Sequence, residues 1–380
     1  MRPLRREVVI VGGGITGLFT AKQLVEAGVE GITILERNYV GSGGTFRCAT
    51  GIRASFTSRE HVAIMRRAIE LWPKWAEDLG FQYRRDGYLW LLTREQDVEL
   101  FRRAVEFQRS MGLGTRMIGP DEVIEIVPHI NVEGVLAAVH DPLAGKAQVF
   151  NAVFGALARL RARGVEVLDH TEARALIPDG RRIRGVLTNR GLFEAEHVIV
   201  AAGSGSRDLL TTAGISLPIR NVPKHALVTE AFRPAIRPLV IDWATSSYIV
   251  QLIHGNFYIG ADIPEEPDSP ALNKFEFLRK AARVWAKYFP WLREVYVLRY
   301  WTGYYDVTPD HHPAIGPVEE FENLYVAAGF SGHGFMMAPA VAEALADHVL
   351  GRRPAVPEFE SLLPGRLARG QLVKEVAVFG

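Results

Sequence analysis

Cysteine is almost missing from this 380-residue chain: Cys48 is the only one. A disulfide framework within the chain is therefore excluded, as is a metal or iron–sulfur centre built on several thiolates. Lysine is scarce too, 8 residues against 36 arginines, and asparagine with glutamine total only 15. So low a content of heat-labile amides points to a thermophilic source. Nor is there a surplus of charge: 44 basic and 43 acidic side chains leave a net charge of +1. That speaks against a nucleic-acid or anionic-membrane binder, both of which carry a basic excess. No apolar run approaches the ~18 residues of a membrane span. The run nearest the N-terminus, Val8-Val9-Ile10-Val11, breaks at once into Gly12-Gly13-Gly14 with no small-residue cleavage site behind it. The expectation is a cytoplasmic chain without an integral membrane segment, meeting a membrane at most peripherally through an electron acceptor.

Hydrophobic residues make up 48% of the chain and charged residues 23%, enough apolar material for two or three folding units with cores of their own. Strand signals of one nucleotide-binding core recur along the sequence. Val8–Val11 leads through glycines into a helical stretch, 18–27, closed by Gly28, and Ile32–Leu35 follows and ends in Glu36. This is the start of a βαβ unit. The core resumes near Val149 with a helix over 152–163, a strand over 165–168, and hairpin turns at Pro178-Asp179-Gly180 and Asn189-Arg190-Gly191. It closes with Val198-Ile199-Val200-Ala201-Ala202-Gly203, and later with Leu324–Ala328 and a helix over 338–350. Between these returns lie aromatic, strand-like runs. The expected fold is α/β: a dinucleotide-binding domain (1–80, 146–219 and 305–364) with a central parallel sheet and a β-meander. A substrate domain (81–145 and 220–304) on a mixed or antiparallel sheet is inserted into it, and 365–380 forms a tail suited to docking.

Gly12, Gly14 and Gly17, with Ile15 and Thr16 between them, fit G-x-G-x-x-G. The first glycine permits the tight turn, the second lets backbone approach a pyrophosphate, and the third lets helix and strand pack closely. The helix N-terminus offers N–H groups and a favourable dipole to phosphates. Glu36, nineteen residues after Gly17, ends the next strand, where a carboxylate accepts both ribose hydroxyls and repels a 2′-phosphate. Beyond it, Arg37 leads to the polar loop Gly41-Ser42-Gly43-Gly44-Thr45-Phe46-Arg47-Cys48, suited to tracking a long flavin dinucleotide.

With that loop, Val200-Ala201-Ala202-Gly203, Thr308-Pro309-Asp310 and Ala328-Gly329-Phe330-Ser331-Gly332-His333-Gly334-Phe335, the chain resembles the amino-acid oxidase superfamily of FAD enzymes over nearly its whole length. That superfamily includes sarcosine and glycine oxidases. Residues 41–53 and 332–341 look most like the β subunits of archaeal dye-linked L-proline dehydrogenases, and share much with those of heterotetrameric sarcosine oxidases. The resemblance implies non-covalent FAD. Its expected contacts are the fingerprint, Glu36, Arg37, Ser42, Thr45, Phe46, Arg47, Cys48, Ala173, Ala202, Gly203, Gly329, Gly332, His333, Gly334, Phe335 and Met336. It further implies FMN at a subunit interface, with an α-type partner or a homo-oligomer. The family's covalent FMN histidine falls at Val149, so any FMN here is held without a covalent bond.

Arg53 stands where the family has the arginine that clamps the substrate carboxylate, a task suited to a planar, permanently charged, two-pronged donor. Tyr305 matches a substrate-facing tyrosine. Two positions depart from the sarcosine oxidases: Met336 replaces a carboxylate-holding lysine and Tyr258 an oxygen-activating one. A cation near the flavin stabilises developing superoxide, so its loss favours a dehydrogenase over an oxidase. Other residues have plainer readings: His311-His312 as a solvated or capping pair, Cys48 as an inert buried thiol, Lys224-His225 as packing or a turn. The string Trp285, Tyr288, Phe289 and Trp291 reads as a helix face buried between the two domains. The function implied is oxidation of a secondary amino acid, L-proline first, to 1-pyrroline-5-carboxylate, with electrons leaving to an acceptor other than oxygen. Sarcosine oxidation, or a flavin-holding relay subunit, are the alternatives. A nicotinamide-dependent dehydrogenase would lack the C-terminal flavin loop.

Overall fold

The computed structural model describes residues 4–373 and residue 375. Five parallel strands form the spine of its first sheet, in the order Glu166–Leu168, Ile32–Leu35, Leu4–Val11, Gly191–Val200 and Leu324–Ala328. Parallel strands covered on both faces are apolar throughout, and every residue of Ile32–Leu35 and Leu324–Ala328 is buried. The first strand shows why both faces need covering. Val8 and Ile10 enter one hydrophobic core, while Val9 and Val11 enter the other, as the two-residue period of a strand requires. Gly191–Val200 is long enough to serve two neighbours. Its first half pairs antiparallel with Arg182–Thr188, which pairs with Ala173–Asp179 to complete the meander, and its last residues pair with Leu324–Ala328.

The helix Ile15–Glu26 begins three residues before the apolar run that marks it in the sequence, directly on Gly14. The last long helix likewise starts at Gly334 and ends at Val349. In both, the residues that directly follow the glycine-rich loop already form the first turn of the helix. These two helices and Arg59–Leu79 pack together over one face of the sheet, where Phe19 meets Trp75 at 4.5 Å between ring centroids and Trp72 at 5.8 Å. The helix Arg59–Leu79 is capped by Ser58, whose hydroxyl accepts from the His61 N–H, and closes on left-handed Gly80 at φ +72°.

The second sheet runs Val297–Val307, Arg220–Ala231, Asn256–Ala261, Ser247–Gln251, Leu239–Asp242, Tyr88–Leu92, Ala137–Asp141, Arg116–Ile118. All neighbours are antiparallel except Leu239–Asp242 and Tyr88–Leu92, so the sheet is mixed. That one parallel pair joins segments about 150 residues apart in the chain. The strand Val297–Val307 continues past residue 304, where the sequence reading ended this unit. Trp285, Tyr288 and Phe289 are fully buried, but in the core beneath this sheet itself, not between the two sheets. Trp285 donates its indole N–H to the Ser247 hydroxyl there, at 2.7 Å. Among the described residues no helix is long and apolar enough to cross a membrane.

Candidate active site

A continuous cleft of ≈ 2050 Å³ of empty space runs from the carboxyl end of the parallel strands to the inner face of the second sheet. Its first part is built by the glycine turn. Gly12 has φ +116°, and a Cβ there would collide with the Ala201 carbonyl, so only glycine lets the turn sit against that strand. The Glu36 carboxylate accepts from the Gly13 N–H at 2.9 Å and the Asn38 N–H at 2.8 Å. It is thus held over the turn at the edge of the cleft. Thr45 closes the other side, its hydroxyl accepting from the Ile15 N–H at 3.0 Å. A helix start, a fixed carboxylate and backbone without side chains suit the pyrophosphate and ribose of a dinucleotide.

Most of the residues expected from the sequence line this cleft: Gly12, Gly14, Ile15, Thr16, Glu36, Arg37, Ser42, Thr45, Arg47, Cys48, Ala173, Ala202, Gly203, Gly332, His333, Gly334, Phe335 and Met336, together with Arg53, Tyr258 and Tyr305. Three do not. Gly17 lies under the turn, against the Gly12 carbonyl. Gly329 points its N–H at the Asp306 carboxylate, 2.6 Å away. Phe46 turns outward onto Phe150 and Phe154, at 4.6 and 5.8 Å between centroids. Arg47 bonds the backbone carbonyls of Ser42 and Gly43, and burial pushes the Cys48 thiol up to about 12, which makes it inert near neutral pH.

At the far end, Arg53 is buried. Its Nη1 donates to the Ser55 carbonyl at 2.8 Å, while Nη2 is buried without a hydrogen-bond partner among the described residues. Burying an unpaired guanidinium N–H costs about 1–3 kcal/mol or more, a cost that an anionic ligand reaching it would offset. The lining also includes five aromatic side chains, Tyr88, Tyr248, Tyr258, Trp301 and Tyr305. Tyr258 donates its hydroxyl to the Arg47 carbonyl at 2.5 Å, so this side chain ties the glycine-rich loop to the second sheet. Tyr305 lies against Gly332 (φ +91°), where a Cβ would run into the phenol ring. Met336 sits at the first turn of its helix, its carbonyl accepting from Trp72 Nε1 at 2.9 Å.

Sequence reasoning missed several of these residues. Lys224 and His225 read as packing, yet both line the cleft, and Lys224 pairs with Asp262 at 2.7 Å. Nothing local reveals which face of the strand Arg220–Ala231 turns inward. Tyr88, Tyr248 and Trp301 lie in the aromatic, strand-like segments and were not singled out as site residues. His312 is not solvated: it is fully buried and stacked on His61 at 4.1 Å.

The comparisons with known proteins agree with this geometry. The family model described as FAD dependent oxidoreductase (DAO) matches residues 7–348. Sarcosine oxidase subunit beta of Arthrobacter sp. is 30% identical over 348 residues, covering 90% of this chain and 86% of that protein. Glycine oxidase of Pseudomonas aeruginosa is 26% identical, covering 96% of this chain and all of that protein. Among solved structures, L-proline dehydrogenase from P. horikoshii superposes with a TM-score of 0.93 at 37% identity, covering 97% of this chain and 100% of that one.

Proposed function

The chain belongs to the DAO family of FAD-dependent oxidoreductases, and from that premise we propose that it oxidises the secondary amino acid L-proline to 1-pyrroline-5-carboxylate, passing electrons to an acceptor other than oxygen. The coarser assignment, FAD-dependent amino-acid oxidation, rests on the family and on its sarcosine and glycine oxidase relatives. The observation that carries the finer reading is that buried Arg53, whose Nη2 has no hydrogen-bond partner among the described residues, lines the same cleft as a set of aromatic side chains. One charged fork and a flat apolar surface are what a small cyclic amino acid requires. The L-proline dehydrogenase superposition supports the same choice.

FAD, when bound, supplies the acceptor for the electron pair that leaves the substrate's C–H bond. The glycine turn, Glu36 and the loop bearing Thr45 would hold its dinucleotide part. Arg53 binds the carboxylate and fixes which carbon faces the flavin. Tyr248, Tyr258, Tyr305 and Trp301 exclude water from the amine. In such surroundings an ammonium ion is disfavoured, so the substrate gives its amine proton to solvent on entry and reacts as the neutral base. No dedicated general base is assigned.

A multi-subunit setting belongs to the same proposal, because the relatives include β subunits of sarcosine oxidases. The outward Phe150 and Phe154, both about half exposed, offer a partner an apolar surface, and any FMN there would be non-covalent. Sarcosine is the second substrate reading, favoured by those same relatives. The test is the flavin spectrum of the purified protein under anaerobic titration. L-proline is expected to bleach the band near ~450 nm, with fast recovery on adding a dye and slow recovery in air. Bleaching by sarcosine alone would move the chain to the second reading, and bleaching by neither would overturn both.

A further inference from the structure

Beneath Arg53 lies a column of stacked planar groups, and the C-terminal segment is bonded to its side. The Arg53 guanidinium carbon is 3.8 Å from the centroid of Phe56. Phe56 stacks on His61 at 4.4 Å and 21° between planes, and His61 stacks on His312 at 4.1 Å and 28°. His333 stands edge-on to Phe56 and His61, at 4.9 and 5.4 Å, bracing the column from the side of the cleft.

Glu375 is bonded to it from the side, at His61. One carboxylate oxygen accepts from the Thr57 N–H at 2.8 Å and from the Thr57 hydroxyl. The other accepts from the Ser58 N–H at 3.0 Å, the Ser58 hydroxyl at 2.8 Å and His61 Nδ1 at 3.2 Å. A carboxylate from the end of the chain thus sits at the N-terminus of the helix Arg59–Leu79, where the dipole favours an anion. Burial pushes this carboxyl up, but the hydrogen bonds from His61, Thr57 and Ser58 outweigh it and hold it well below the usual range. The segment is fastened on its way there: Arg366 forms a buried ion pair with Asp310, and the Val373 N–H donates to Asp310 at 2.9 Å.

Two histidines and a carboxylate invite a metal reading, since one ligand atom from each lies within 4.8 Å of the others. The stacking argues against it. Ring lone pairs lie in the ring planes, and two planes only 28° apart at a 4.1 Å spacing do not converge at ligand distance. The network acts on Arg53 instead.

We propose that Glu375 and His61 are positioning residues for Arg53: by locking Phe56 in place they hold the guanidinium flat across its ring, with Nη2 kept for the substrate carboxylate. The inference rests on the reading of Arg53 as the carboxylate anchor. A guanidinium on an aromatic face is held by the ring quadrupole, and that attraction depends on a face that does not tilt. Glu375 also places a negative charge beside the column, which favours the cation at its head.

The experiment uses the FAD-loaded protein and tetrahydrofuran-2-carboxylate, a proline-shaped anion without an oxidisable amine, whose binding is read from the flavin spectrum. Glu375→Gln and His61→Phe, the second keeping the stack but losing the carboxylate's partner, are each expected to weaken binding about tenfold. For L-proline turnover they should raise KM by a similar factor and leave kcat within about twofold, the signature of lost uniform binding. Arg53→Lys serves as the reference. If Arg53→Lys weakens binding and the other two do not, the positioning role is overturned while the anchor stands. If Arg53→Lys binds as tightly as the native protein, the anchor falls and the inference with it. If Glu375→Gln and His61→Phe lower FAD content in proportion to ligand binding, or lower kcat as much as they raise KM, their role is structural and the proposal is overturned.

Discussion

Arg53 and Cys48 sit five residues apart and both line the cleft, yet burial acts on them differently: the guanidinium keeps its charge, whereas the half-buried thiol is held in its neutral form. An arginine does not deprotonate under burial, so the cost of its Nη2, unpaired among the described residues, is offset when an anion arrives. Replacing Arg53 with Ala is expected to lower kcat/KM for the amino-acid substrate by about a thousandfold, or about 4 kcal/mol. Steady-state rates with a dye acceptor check this, and a loss under tenfold would remove Arg53 from the site. Cys48, with its thiol raised to about 12, should resist a maleimide at pH 8 in the folded protein and react only after unfolding. Cys48→Ser should retain activity within about twofold; rapid native labelling would show a thiolate that burial does not suppress. Both residues were singled out in the sequence from their type and their neighbours. The contact between Glu375 and His61 was not, because it spans 314 residues of sequence and has no local signature. The pair His311-His312 read as solvated or capping for the same reason: a Pro-flanked loop says nothing about what folds over it.

The loop Gly329–Gly332 meets the strand Val297–Val307 in a contact that sets both backbone shape and charge. Asp306 accepts the Gly329 N–H through its side chain, and its carbonyl accepts the Ser331 N–H at 2.9 Å. Gly329, Ser331 and Gly332 all have positive φ, from 50° to 91°, so the loop depends on these bonds to hold a costly conformation. Burial raises the Asp306 carboxyl to about 6, against backbone hydrogen bonds that lower it. A raised folded-state value means the fold favours the protonated form. The associated stability is present below about 4 and is lost as pH rises through about 6. Two pKa units correspond to about 3 kcal/mol. Asp306→Asn, which does not titrate, should therefore gain on the native protein between pH 4 and pH 7 by up to that amount. Denaturant melts at pH 4, 5.5 and 7 would show it, and a pH-independent difference would refute it. At this scale the sequence showed the βαβ start, the meander turns and the flavin loop, because each carries glycines whose positions have one good explanation. It did not show which face of Arg220–Ala231 looks into the cleft, since inner and outer positions there are both partly apolar. Nor did it show that the residues directly after the glycine-rich loop, before Ala338, are already helix, because glycine weakens the helical signal where close packing requires it.

Taken as a whole molecule, the chain keeps its two sheets on separate hydrophobic cores, and the cleft between them is lined by both. One side-chain contact across that cleft is made by Tyr258, which reaches from the second sheet to the Arg47 carbonyl. A dinucleotide lying along the cleft would therefore bind to the folded arrangement and to nothing in the unfolded chain. Such a ligand adds RT ln(1 + [L]/Kd) to stability, about 2.7 kcal/mol at a hundredfold excess over Kd. For a chain longer than 250 residues each kcal/mol moves the midpoint by roughly 2 °C or less, so saturating FAD should raise the Tm of the stripped protein by about 5 °C. The increment should grow with the logarithm of FAD concentration, and NAD should not reproduce it, because the loop bearing Thr45 and the helix start at Gly334 both lie beyond what a nicotinamide dinucleotide needs. Thermal melts of stripped protein against both nucleotides decide this. A midpoint indifferent to FAD would mean that the two sheets hold their arrangement without it, and an equal response to NAD would mean that only the glycine turn and Glu36 are engaged. The same melts carry the argument to Tyr258→Phe. This variant removes one tie across the cleft, so it should lose more stability stripped than loaded, by roughly the 0.5–1.5 kcal/mol of a single hydrogen bond.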